Sequence, residues 1–144
     1  MRTIVGLSQA GTEKLIIIYK GWRICPLVCY DLRFPVWARN TEDYDLLLYV
    51  ANWPKKRIAA WDTLLKARAI ENMAYAVGVN RVGLDGNGHE YVGHSAVYDV
   101  LGAQISTENF EEEFVETLLL SKEHIEKNRR HLQFLEDRDH FTLK

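Results

Sequence analysis

Cysteine is scarce in this chain, with two among 144 residues. Cys25 and Cys29 stand four apart in an extended run, a spacing that does not suit a bridge, so a disulfide-stapled scaffold is excluded. The same pair lacks the tight knuckle of a metal site, and His89 and His94 add no paired-histidine motif, so no metal is expected. A long hydrophobic run is also missing. Nothing in the sequence reaches bilayer-spanning length, and Ile4-Val5-Gly6-Leu7 is too short for the apolar core of a signal peptide. An excess of one charge is the third absence. Eighteen Lys and Arg against twenty Asp and Glu leave a net charge of -2, which gives no field suited to nucleic acid or an anionic membrane. Repeats, low-complexity segments and linkers are absent from Gly11 to Lys144. These absences point to a globular domain in the reducing cytoplasm.

What is present fits that class. A composition 47% apolar and 26% charged at this length can bury one ordinary core. Lys14 to Tyr19 is rich in β-branched residues and reads as a buried strand. Lys20-Gly21-Trp22 is a hairpin turn, and Arg23 to Cys29 returns as a second strand, with Pro26 demanding an edge or a bulge. Pro35 to Asn40 predicts a short helix. Leu46 to Ala51 shows no alternation, as in a strand covered on both faces. From about Lys55 to Tyr75, Ile58, Trp61, Leu65 and Ala69 recur at helical spacing. Ala76 to Asn80 is another strand, and Asp85-Gly86-Asn87-Gly88 a turn. Ser95 to Asp99 and Ala103 to Thr107 form a hairpin about Leu101-Gly102. Phe114 to Leu120 reads as a strand, and Ser121 caps a last helix. Strands alternating with helices define an α/β fold.

The chemistry centres on Val28-Cys29-Tyr30-Asp31-Leu32-Arg33-Phe34-Pro35. An apolar strand delivers a thiol to a turn just before a helix, which lifts the side chain off the sheet end. The same turn leaves backbone N–H groups, Tyr30's first, free to bind an oxyanion. The plainer alternative is a buried structural cysteine. Cys25 is assigned to the core. Asp31 and Arg33 are expected to brace the turn. Asn52 and Trp53, at a strand end, either line a pocket or, for Trp53, belong to the core. Glu71 is placed in a structural role, pairing with Arg68 or Arg81.

Cys29-Tyr30-Asp31-Leu32-Arg33-Phe34-Pro35 resembles the cysteine motif of the nitrilase superfamily, the carbon–nitrogen hydrolases. Asn52-Trp53-Pro54, Ala67 to Asn72, Asn80-Arg81-Val82-Gly83 and Gly93-His94-Ser95 with Asp99 and Gly102 come after it in that family's order. The set is most similar to the ω-amidase branch, which hydrolyses the side-chain amide of α-ketoglutaramate and related ω-amides. The resemblance runs from about Gly11 to the C-terminus. It implies residues 11–144 as the C-terminal part of an αββα four-layer sandwich, with residues 1–10 undetermined.

The resemblance also implies a reaction: Cys29 forms an acyl-enzyme while a glutamate base and a lysine assist, and no cofactor takes part. Both assisting positions fall before Met1 when Cys29 is the nucleophile, so no turnover is expected of the chain alone. Its expected partners are a small amide substrate and either a second copy or a complementing N-terminal half; nucleic acid and membrane are not expected. Two rivals remain. One is a non-catalytic half-domain acting as an oligomerising or interaction module. The other is an unrelated Cys–His hydrolase using His89, His94 or His124.

Overall fold

The structure, a computed structural model, describes residues 11, 13–108 and 111–141; segment 1–10, which the sequence leaves undetermined, lies outside the described residues. Lys20 and Gly21 both hold positive φ, 47° and 80°, and so form the tight turn between β1 (Ile17–Tyr19) and β2 (Trp22–Val28). Strand β1 is shorter than expected and exposed rather than buried. The reason is position: it is the edge of a five-stranded sheet ordered β1, β2, β3 (Leu46–Ala51), β4 (Tyr75–Asn80) and β7 (Ala96–Tyr98). Pro26 pairs with Leu48 in β3, while the β1 ladder ends at Ile17↔Ile24. The proline ring therefore sits where one side of β2 has no partner among the described residues, which is the edge its missing N–H requires.

Strands β2, β3 and β4 run parallel, with Leu27, Tyr49 and Gly78 in one row and Val28, Val50 and Val79 in the next. The first row faces a helix. Beyond the short helix α1 (Pro35–Ala38) and a 3-10 turn at Lys55–Arg57, α2 (Ile58–Asn72) buries Trp61, Leu65, Arg68, Ala69 and Asn72. Residues three and four apart share one helix face, and this face lies on the sheet. The helix stops earlier than its periodicity suggests. Met73 adopts the left-handed conformation (φ 46°) and donates back to the last turn, so Tyr75 opens β4 instead of closing the helix. Close approach of α2 requires Gly78, because a Cβ there would lie 2.4 Å from Leu65 Cδ2 and 2.6 Å from Trp61 Cζ2.

The second row meets no layer among the described residues. Val28, Val50 and Val79 are 61%, 49% and 49% exposed, so the described residues cover β3 on one face, where its composition suggests cover on both. The lower end of that face is closed by α3 (Lys122–Leu132), capped by Ser121 Oγ accepting from His124 N at 3.1 Å. Its Ile125 packs with Met73, Tyr75 and Val100.

Two further expectations are corrected. Ala103 to Thr107 turns back as expected, Asp99 Oδ1 accepting from Leu101 N and Ala103 N at 2.9 Å, but it pairs only as a single bridge, Tyr98↔Gln104. Phe114 to Leu120 forms no strand, and Val115 and Leu119 are 98% and 97% exposed. An apolar β-branched run becomes a strand only where a neighbour takes its N–H and C=O groups, and no described strand lies beside this one. Of the four sandwich layers, the described residues thus build one mixed sheet and its α2 cover. A separate two-stranded ribbon, β5 (Val82–Leu84) with β6 (Glu90–Val92), turns at Asp85 to Gly88. The fold class is α/β, as the alternation of runs indicates.

Candidate active site

Parallel strands that end together place their succeeding residues at one edge, and in open α/β sheets that carboxyl edge is where ligands bind. Here Val28, Ala51 and Asn80 end β2, β3 and β4, so Cys29, Asn52 and Arg81 are delivered side by side. Cys29 opens a 3-10 turn, Cys29–Arg33, with φ at 39°. A non-glycine residue in that region is uncommon and needs its surroundings to hold it. Three contacts do so. Asp31 Oδ2 reaches back to Val28 N at 3.1 Å, the Phe34 N–H donates to Asp31 O at 3.0 Å, and the buried Arg68 guanidinium donates to Leu32 O at 2.6 Å. The result is a half-buried thiol, not one sealed in the core. Its hydrogen-bond partner among the described residues is the Asn52 carbonyl, 3.9 Å from Sγ.

The second cysteine behaves as assigned. Cys25 is fully buried, and burial pushes its thiol up to about 11, Lys14 opposing and Glu42 and Asp31 adding to the rise. A thiol kept protonated at neutral pH is a poor nucleophile, so position and exposure separate the two.

Asp31 braces the turn as expected. Arg33 does something different: its side chain is exposed and its guanidinium lies 4.8 Å above the Trp53 ring. Trp53 itself is buried, its indole donating to Arg57 O at 2.7 Å and its ring 5.7 Å from that of Trp61. Asn52 is exposed. The Tyr30 ring packs edge-on against Phe34 at 5.1 Å, leaving its N–H in the first turn after the thiol. Glu71 pairs with Arg68 at 2.9 Å rather than with Arg81, so of its two expected partners the structure selects one. Arg81 instead stacks 4.7 Å from the Tyr91 ring and donates to Leu84 O at 3.0 Å, fixing the start of the ribbon. His94 faces Asp62 at 3.0 Å and His124 faces Asp99 at 3.1 Å, while His89 N donates to Asp85 in the ribbon turn. These contacts give the Cys–His reading no support.

The residue that joins the edge together is one the sequence marks only as the first member of the Asn80-Arg81-Val82-Gly83 motif. Asn80 is buried; it accepts from Trp53 N at 2.7 Å and donates to Trp53 O at 3.0 Å and Gly93 O at 2.8 Å. Its signal is an amide closing an apolar strand, level with Ala51, the residue before Asn52. Arg68, which the sequence marks only as a partner for Glu71, is the support beneath the thiol turn. A cavity of about 610 Å³ opens away from Cys29. It lies between the open face of β4 and β7 and the extended residues 112–118.

A thiol presented from a strained turn at the carboxyl edge of a parallel sheet defines a class of nucleophilic hydrolases. Residues 6–129 match the carbon–nitrogen hydrolase family, and the chain belongs to that family. It is 50% identical over 135 residues to the omega-amidase YafV of Escherichia coli (strain K12), covering 94% of this chain and 53% of that protein. To the 2-oxoglutaramate amidase of Bacillus subtilis (strain 168) it is 36% identical over 109 residues, 74% of this chain and 42% of that one. In structure it resembles XC1258 of Xanthomonas campestris, a CN-hydrolase superfamily protein with an arsenic adduct in its active site. The TM-score is 0.91 at 49% identity, covering 94% of this chain and 54% of that one. The chain spans about half the length of these relatives.

Proposed function

We propose that the chain is the nucleophile-bearing part of an ω-amidase-like hydrolase of the cytoplasm, acting on small ω-amides of the 2-oxoglutaramate type. Cys29 Sγ attacks the amide carbonyl, and the Tyr30 N–H stabilises the oxyanion. Ammonia leaves, and water then hydrolyses the thioester. The observation that carries this reading is the positive-φ thiol at the sheet's carboxyl edge, in a chain half identical to an omega-amidase.

The Asn52 carbonyl can accept the thiol proton in a hydrogen bond but is no base. We therefore assign the glutamate base and the lysine to a complementing N-terminal half that covers the open face at Val28, Val50 and Val79. An apolar surface of that kind requires a partner. Ammonia release from 2-oxoglutaramate tests the proposal, with the chain alone and with the N-terminal part of the E. coli relative supplied in trans. Turnover is expected in the mixture and at least about 10⁴-fold less from the chain alone, since a general base contributes roughly 10²–10⁴-fold and an oxyanion donor roughly 10²–10³-fold. Cys29→Ala removes it. A stable complex that releases no ammonia favours the interaction-module reading instead.

A further inference from the structure

Of the three contacts that hold Cys29 in its left-handed conformation, two are made by Asp31 with its neighbours in the chain and move with the turn. The third crosses 36 positions of sequence, from Arg68 Nη2 to Leu32 O at 2.6 Å. A carbonyl near the end of a helical turn lacks a partner within it, and an arginine side chain is suited to take it. Both ends of this short, charge-assisted bond are fixed in place. Leu32 is fully buried, and Arg68, 3% exposed, leaves α2 beside the fully buried Leu65 and Ala69. The other arm of the guanidinium, Nη1, meets Glu71 Oε1 at 2.9 Å. A buried cation is costly without its counter-charge, so Glu71 is what keeps a guanidinium stable under the turn. A non-glycine residue at φ 39° stays there only while its surroundings hold it. Released, Cys29 is free to continue the extended path of Val28, whose φ is −121°. Successive side chains of a strand point to opposite faces, so Sγ then turns away from its present position. A nucleophile misplaced by about 1 Å loses on the order of 10²-fold in rate.

We infer that the Arg68–Glu71 pair is the positioning device for the nucleophile: Arg68, balanced by Glu71, keeps Cys29 in the left-handed conformation that presents its sulfur at the carboxyl edge. This rests on Cys29 being the nucleophile, and it gives the helix motif Ala67 to Asn72 a task in the reaction, performed through the turn.

The test reads the backbone at Cys29 and needs no turnover. With two cysteines in the 144-residue chain, isotopically labelled cysteine gives two Cα and two Cβ resonances, and Cys25→Ala assigns them. These shifts separate extended from left-handed backbone, and Cys25, inside β2, is the internal standard for a strand. In the unaltered chain Cys29 is expected to differ from that standard. In Arg68→Gln its shifts are expected to move to the strand values while those of Cys25 stay in place, a pattern that general loosening of the core does not produce. Arg68→Lys keeps a charged donor but loses the planar fork, and is expected to restore part of the difference. Glu71→Gln leaves the cation unbalanced and is expected to move Cys29 in the same direction. Strand-like Cys29 shifts in the unaltered chain overturn the inference, as do shifts that Arg68→Gln leaves unchanged. If Arg68→Gln unfolds, with both cysteines at random-coil values, Glu71→Gln decides, and an unmoved Cys29 there overturns it. Alkylation of the unaltered chain with iodoacetamide checks the nucleophile separately. Label at Cys29 over Cys25 supports that reading and label at neither sinks it, while the shifts still decide whether Arg68 holds the turn.

Discussion

Two cysteines four residues apart end in opposite roles because one ends inside the sheet row under α2 and the other just past the strand. Burial holds the Cys25 thiol near 11 while its ordinary value is 9.0. Between about pH 9 and about 11, the folded protein keeps a proton there that the unfolded chain has released. Stability from this group is therefore full below pH 9 and is lost as pH climbs through 11. Tyr44 and Tyr49, both buried and both raised for the same reason, extend the decline to higher pH. The urea midpoint is expected to fall steadily between pH 9 and 11, and less steeply in Cys25→Ala. A flat midpoint across that range contradicts the burial argument.

At the level of elements, the site depends on α2 lying close against β3 and β4, since the same helix carries Arg68 beneath the thiol turn. Gly78 sets that closeness. Gly78→Ala must push Leu65 and Trp61 outward, and overpacking of this kind costs about 1–3 kcal/mol. Urea unfolding followed by tryptophan fluorescence measures the loss, and an unchanged midpoint would show that the helix has room to spare. The helix was legible from its period, but its end was not. Nothing in Asn72-Met73-Ala74 resembles a glycine stop, and Met73 takes the left-handed turn because its buried side chain packs with Tyr75, Val100 and Ile125. Phe114 to Leu120 shows the converse. Its residues suit a strand, yet a strand is a property of two segments.

For the whole molecule, the exposed face at Val28, Val50 and Val79 is the surface on which the proposed partner is expected to act. Under the proposed function, this apolar row is expected to draw a complementing half or, failing that, a second copy. Sedimentation of the chain alone is expected to show concentration-dependent association. Val50→Asp, at the middle of the row and already half exposed, should reduce that association and block complementation while leaving the fold intact. Association that Val50→Asp does not change would place the contact elsewhere.

The sequence by itself determined the α/β class, the order of the strands along the chain, and the thiol that ends one of them. Those are local facts: apolar runs, turn residues, and an ordered set of motifs. Only the tertiary structure decided that β3 and β4 end level at Ala51 and Asn80 with β2 one residue short at Val28, that Asn80 ties the edge together, that Glu71 chooses Arg68, and that Arg33 lies on Trp53. Each of these depends on the register between strands and on which side chain a neighbour leaves room for, quantities fixed in space between residues tens of positions apart.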